Sequence, residues 1–93
     1  MAAEKLQIRV IVPDDWRERK MEFAPDTTVG AIKQTALPVL LGTGEIDAST
    51  YYVEYSEKEI LDESRTLAEL GVRQGGVISL RPYDLDHPPP FEG

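Results

Sequence analysis

The strongest constraint on the fold is an alternating segment near the start of the chain. Over residues 6–12 (Leu-Gln-Ile-Arg-Val-Ile-Val), alternation places four apolar residues on one side of an extended backbone: Leu6, Ile8, Val10 and Val12. β-branched residues at this period predict a strand with one apolar face. Such a face has to be covered, so the rest of the chain must supply a sheet and a second layer.

A hairpin is predicted next. Residues 13–16 (Pro-Asp-Asp-Trp) supply turn formers, and residues 17–23 alternate again, with Arg19, Met21 and Phe23 on one face. Two alternating segments joined by a short turn predict a β-hairpin with a loop of four or five residues.

A helix follows the hairpin. Asp26, Thr27 or Thr28 is expected to cap it, because a side-chain oxygen there accepts from a free backbone N–H of the first turn. The apolar positions then recur at three- and four-residue spacings, which indicates one apolar helical face: Val29, Ile32, Ala36 and Leu40. Pro38 lacks an N–H, so we expect the regular helix to stop or kink near Leu37.

The second half of the chain predicts three more strands and one short helical turn. The strands are placed at residues 51–55, 60–61 and 77–81, with turns at 56–59 and 74–76 and a helical turn within 64–71. The order is therefore β-β-α-β-β-β, with one helix face buried on one sheet face. The predicted core is Leu6, Ile8, Val10, Val29, Ile32, Val53, Leu67, Ile78 and Leu80.

The chain changes character at Pro82. We predict one domain over residues 1–82 and a proline-rich acidic tail over residues 83–93. The tail lacks periodicity, and its three consecutive prolines, Pro88–Pro90, favour an extended polyproline conformation. Its apolar residues Leu85 and Phe91 are candidates for docking the tail on a protein surface.

Composition argues against several classes of function. The net charge is −7, with 17 acidic and 10 basic residues, so nucleic acid and membrane surfaces are not expected partners. The chain has no cysteine and one histidine, His87, so we expect no metal site, no cofactor and no catalytic centre. The N-terminal residues carry no apolar signal segment, which predicts a cytoplasmic protein.

Three segments resemble the ubiquitin family. Residues 6–10 resemble its first strand, and residues 25–29 with Ile32 and Lys33 resemble the capped start of its helix. Residues 61–72 resemble its stretch from the fourth strand through the short helix. The resemblance covers about residues 5–82. It implies an α+β ubiquitin-like β-grasp, with a mixed sheet of four to five strands and one main helix packed on one face, in a protein expected to be bacterial.

The resemblance implies function through protein–protein interaction and also shows a departure. Ubiquitin recruits partners mainly through an apolar patch on the outer sheet face, whereas alternation here places polar or charged residues outward: Arg9, Glu54, Ser79 and Arg81. These four are our candidate interaction surface, together with Trp16. Trp16 lies in the hairpin loop and is expected either tucked against the domain edge or exposed as a binding anchor.

The tail leaves three functions open. Members that are conjugated end in two glycines, whereas this sequence ends Phe91-Glu92-Gly93. A modifier attached through Gly93 would need an E1-like activating enzyme and a JAB-type protease as partners. The alternatives are a non-conjugated accessory similar to that of type VII secretion systems and a β-grasp sulfur carrier. If Leu85 and Phe91 dock, the tail becomes an interaction element and Gly93 is incidental.

Overall fold

The computed structural model describes residues 5–42, 44 and 46–83. Within these residues the chain forms a mixed sheet, two α-helices and short 3-10 turns at Pro13–Asp15 and Ala48–Thr50. The elements run in the predicted order: β1 (Leu6–Val12), β2 (Arg17–Phe23), α1 (Val29–Leu41), β3 (Tyr51–Tyr55), β4 (Lys58–Ile60), α2 (Leu67–Leu70) and β5 (Val77–Pro82).

The five strands form one sheet in the order β2-β1-β5-β3-β4. β1 and β5 are parallel at its centre, in a register that pairs Val10 with Ile78, and the other neighbouring pairs are antiparallel. Parallel neighbours need a long crossover, which the chain from β2 through α2 provides. The predicted α+β fold, with a mixed sheet and one main helix on one face, is confirmed.

The core lies between α1 and one face of the sheet. All the predicted core residues are buried except Leu6, which is partly exposed because it opens β1 at the sheet end. The core also holds residues that the prediction omitted: Val12, Ala36, Leu37, Leu40 and Val72.

α1 continues past the proline that was expected to end it. Of the two expected outcomes near Leu37, a stop is wrong, since α1 runs to Leu41 and is capped by Gly42, whose φ is 72°. Pro38 removes one backbone hydrogen bond near the end of α1. Burial of Leu37 and Leu40 against the sheet outweighs that loss, so tertiary packing decides the helix length.

The β3–β4 hairpin is tighter than predicted. Ser56 and Glu57 both have positive φ, 56° and 67°, as the centre of a two-residue type I′ turn requires. Lys58 therefore lies opposite Tyr55, and β4 begins there. The predicted strand at residues 60–61 is displaced for this reason, and Leu61 lies outside it with 71% of its surface exposed.

The two helices begin side by side, each after a threonine cap. The Thr28 hydroxyl accepts from Ala31 N–H, and Thr66 forms a reciprocal capping box with Glu69. The loop before each helix also supplies carbonyls to the free N–H groups of the other. The donor–acceptor pairs are Val29–Arg65, Gly30–Glu63, Leu67–Thr27 and Ala68–Pro25. These bonds fix α2 against the start of α1.

A buried lysine joins α1 to the sheet. Lys33 is 5% exposed, and its Nζ donates to the Tyr51 carbonyl at 3.0 Å and to Glu63 Oε2 at 2.8 Å. A charge taken out of water is tolerated only when it is paired and hydrogen-bonded, as here. Lys33 therefore links the helix, the start of β3 and the loop before α2.

Replacing a core residue tests the packing. Ile8→Ala or Leu67→Ala should lower the free energy of unfolding by about 2–4 kcal/mol through lost burial and a cavity. Leu61→Ala is the matched control and should change it by less than about 0.5 kcal/mol, because Leu61 is exposed. Urea unfolding measures all three, and a loss below half a kcal/mol at both core sites contradicts the assignment.

The buried ion pair should be coupled. Lys33→Met should cost about 1–3 kcal/mol, between the values for surface and fully buried pairs, because Glu63 remains one-third exposed. Glu63→Gln should cost less in the Lys33→Met background than alone. A double-mutant cycle by chemical unfolding measures this coupling, and strictly additive losses would show that the pair is energetically irrelevant.

Candidate functional site

The sheet face opposite α1 is the candidate site, called the outer face below. Its central row crosses all five strands, through the paired residues Glu18, Ile11, Ser79, Glu54 and Glu59. Their neighbours in sequence on β1, β5 and β3 point into the core. The outer face therefore brings together all four strand residues that the sequence predicted: Arg9, Glu54, Ser79 and Arg81.

The arginines of the outer face are paired with its carboxylates. Arg9 Nη2 lies 2.7 Å from Glu18 Oε2, and Arg9 Nε also donates to that carboxylate. Arg81 lies between two acids, with Nε 3.7 Å from Asp14 Oδ1 and Nη1 3.9 Å from Glu54 Oε1. Exposed pairs contribute about 0–1 kcal/mol each to stability. Their main effect is to set the position of each charge on the surface.

Trp16 is exposed and has an unusual backbone conformation. It closes the 3-10 turn with φ 55° and ψ 37°, and its backbone N–H donates to the Pro13 carbonyl. The residue has 94% of its surface exposed. Trp16 is therefore exposed and is not tucked against the domain edge, whereas its role as a binding anchor stays a prediction. A bulky residue in the left-handed region costs of order 1–3 kcal/mol.

A cleft lies beside this tryptophan. It has a volume of about 270 Å³ and is lined by Ile11, Pro13, Trp16, Arg17 and Glu18; we call it the Trp16 cleft. Sequence reasoning missed Ile11 as a surface residue. Ile11 is in the opposite phase from Val10 and Val12, which was the signal that it faces outward.

The outer face also carries aromatic rings on the side formed by β3. Tyr52 has the outward phase yet is buried, because the ring of Tyr83 packs on it with centroids 5.0 Å apart. Tyr83 N–H donates to the Thr50 carbonyl at 3.0 Å, which extends the β3–β5 ladder. The pKa of Tyr83 is raised, mainly because its side chain is partly buried and secondly because the negative Glu59 carboxylate is nearby. This stacked pair covers the part of the outer face that the start of β3 forms.

A second, open groove of about 460 Å³ lies between α1 and the turn at 48–50. None of the predicted site residues lines it. Its one carboxylate, Asp47, accepts hydrogen bonds from Ser49, and these lower the pKa of Asp47.

No group of three or more His, Asp or Glu side chains suited to a metal ion occurs among the described residues. Neither helix in this part of the chain is long and apolar enough to cross a membrane. The predicted tail residues Leu85, Phe91 and Gly93 lie outside the described residues.

Solved structures similar to this chain carry ubiquitin-like folds. The ubiquitin of Caldiarchaeum subterraneum is 22% identical, with a TM-score of 0.71 over 87% of this chain and 96% of that one. A ubiquitin-like domain from Arabidopsis thaliana is 21% identical, with a TM-score of 0.73 over 91% and 84%. The ubiquitin-like domain of Plasmodium falciparum Dsk2 is 19% identical, with a TM-score of 0.69 over 84% and 97%.

These likenesses establish the fold as a ubiquitin-like β-grasp. Because the identities are near 20% and one fold supports many functions, these similarities establish the fold and do not identify a function. No protein-family model and no curated protein matches the sequence. Function therefore has to be argued from the outer face of this chain.

A receptor domain that binds the apolar patch of ubiquitin should not bind this protein. The reason is that such a receptor would have to bury Arg81 and Glu54 away from water, which costs several kcal/mol when their pairing is lost. Titration followed by NMR should show no shifts on the outer face. Micromolar binding with shifts centred on Arg9, Glu54 and Arg81 would contradict the prediction.

A matched variant makes that titration informative. Glu54→Ile combined with Arg81→Val keeps the strand pairing and makes the centre of the outer face apolar. The double variant should bind the same receptor more tightly than the wild type does. Equal absence of binding by both proteins would show that charge is not what excludes this receptor.

Proposed function

We propose that this chain is a ubiquitin-like protein-binding domain, which acts through non-covalent contacts of its outer face and catalyses nothing itself. The observation that carries the proposal is Trp16, which is 94% exposed in a strained conformation at the edge of that face. Among the described residues it packs against too little to offset the strain. A contact with another protein surface supplies the missing burial.

The energetics favour Trp16 as the main anchor. Burying a tryptophan removes about 150–250 Å² from water, which corresponds to about 4–6 kcal/mol before the costs of association. Its loop is short and begins at a proline, so little freedom is lost when a partner packs on it. Tryptophan is enriched among interface residues that dominate binding energy.

The paired charges around the cleft indicate the kind of partner. The charges of this surface are already neutralised by ion pairs within the domain: Arg9 with Glu18, and Arg81 with Asp14 and Glu54. A partner that covers them as pairs avoids leaving an isolated buried charge. We therefore propose a partner surface with an apolar pocket for Trp16 and a polar rim over the ion pairs, as in most protein–protein interfaces.

Removing the anchor tests this function. Immobilised wild type, Trp16→Ala and Leu61→Ala would be incubated with extract of the source organism, and the affinity of any captured protein measured. Trp16→Ala should weaken binding by about 30-fold, the equivalent of about 2 kcal/mol. Leu61→Ala removes another exposed apolar side chain, outside the outer face, and should bind normally. Equal affinity of all three would contradict the proposal.

A second candidate function is a protein modifier attached through Gly93. It is supported by the position of β5, the last strand of the described residues, which ends at Pro82, and residues 84–93 follow it in the sequence. Ten residues in a polyproline conformation span about 31 Å, enough to carry a reacting end into the channel of an activating enzyme. This function requires a free carboxylate at Gly93.

The assay for the modifier uses a cognate E1-like activating enzyme with ATP and magnesium. An adenylate or thioester that forms with the intact chain and disappears when Gly93 is deleted supports it. A thiocarboxylate at Gly93, detected by mass spectrometry, would instead support the sulfur carrier. Failure with an enzyme active on another ubiquitin-like protein leaves the non-covalent function, of which an accessory of a type VII-like secretion system is one form.

A further inference from the structure

We propose that the Trp16 cleft is a docking site for the chain's own tail, with Pro88–Pro90 and Phe91 packed against the indole of Trp16. This inference rests on the proposed function only in that both use the same cleft. The tail occupies the cleft in the free protein, and a partner protein would have to displace it.

The first argument is position. β5 is parallel to β1, so its last residue, Pro82, lies at the same end of the sheet as the β1–β2 loop. The distance of 3.7 Å from Arg81 Nε to Asp14 Oδ1 joins the end of β5 to that loop directly. The tail therefore starts beside the loop that carries Trp16.

The second argument is reach. Two strand spacings, from β5 across β1 to β2, amount to about 10 Å. The five residues from Tyr83 to Pro88 span up to about 17 Å when extended. Pro88 can therefore reach the cleft without any change in the sheet, and Pro89, Pro90 and Phe91 follow along it.

The third argument is chemistry. Proline-rich segments bind aromatic-lined grooves, because a preformed polyproline helix loses little entropy on docking. The cleft offers the exposed face of Trp16 with Ile11 and Pro13 as its apolar sides. A run of three prolines followed by phenylalanine matches such a surface.

Charge complementarity favours the same occupant. The tail carries three acidic residues, Asp84, Asp86 and Glu92. Arg17 lines the cleft and forms no ion pair within the described part of the chain, unlike Arg9 and Arg81. An acidic segment across the cleft supplies the counter-charge that Arg17 lacks there.

Docking of this kind regulates the proposed function. A short tether gives the tail an effective concentration in the millimolar range. A contact with an intrinsic dissociation constant of about 1 mM is then about half occupied, and the apparent affinity for a competing partner falls about twofold. The docked tail also holds Gly93 close to the domain.

The test uses Trp16 as its own probe, since it is the one tryptophan in the sequence. Acrylamide quenching of its fluorescence would be compared between the full-length wild type and a full-length variant carrying Pro88→Ser, Pro89→Ser, Pro90→Ser and Phe91→Ser. With half occupancy, wild-type quenching should be about half that of the variant, whose emission should also shift to the red. Phe91→Ser alone should give an intermediate value.

Controls separate the alternatives. Leu61→Ser alters an exposed apolar residue outside the cleft and should be quenched like the wild type. Protection should not depend on protein concentration. Equal quenching of wild type and tail variant would overturn the proposal, and so would protection that rises with concentration, which means docking on a second copy.

The test is independent of the proposed function. Absence of protection, combined with a partner that Trp16→Ala fails to bind, would remove tail docking and leave the binding surface intact. Protection with no sensitivity of partner binding to Trp16→Ala would support docking and remove the binding function.

Discussion

The packing of α1 on one face of the sheet is the constraint on which the rest of the structure depends. Val29, Ile32, Ala36 and Leu37 are completely buried there, and Lys33 extends the same contact to Tyr51 and Glu63. Because strand side chains alternate, burying one phase of β1, β3 and β5 fixes which residues face away. Burial of the core residues therefore also fixes which strand residues form the outer face.

The same constraint explains why this surface differs from a typical apolar contact patch. Its centre carries exposed ion pairs, and an apolar edge formed by Ile11, Pro13 and Trp16 lies beside them. The strained conformation of Trp16 belongs to the loop that must turn β1 into β2. Binding at that edge combines a rigid aromatic anchor with charges whose positions are already set.

Much of this arrangement follows from sequence pattern, and the failures have physical causes. Alternation in β1 and spacing in α1 predicted the faces, because burial is periodic. The stop expected near Pro38 does not occur, because burial of Leu37 and Leu40 outweighs one lost hydrogen bond. The turn after β3 was predicted too long and β4 too late, because two non-glycine residues with positive φ, Ser56 and Glu57, leave no clear sequence signal. Exposure of Trp16 and the role of Ile11 depend on how neighbouring strands meet, which no single segment encodes.

Binding through Trp16 and the outer face is tested most directly by an NMR map of the surface that a captured partner contacts. Labelled protein would be titrated with that partner while backbone amides and the Trp16 indole N–H are followed. If Trp16 anchors the partner, the largest shifts fall at Trp16 and Ile11 and extend to Arg81, with the exposed side of α1 unchanged. Shifts centred on α1 or on the groove beside the turn at 48–50, with the Trp16 indole unmoved, would contradict it.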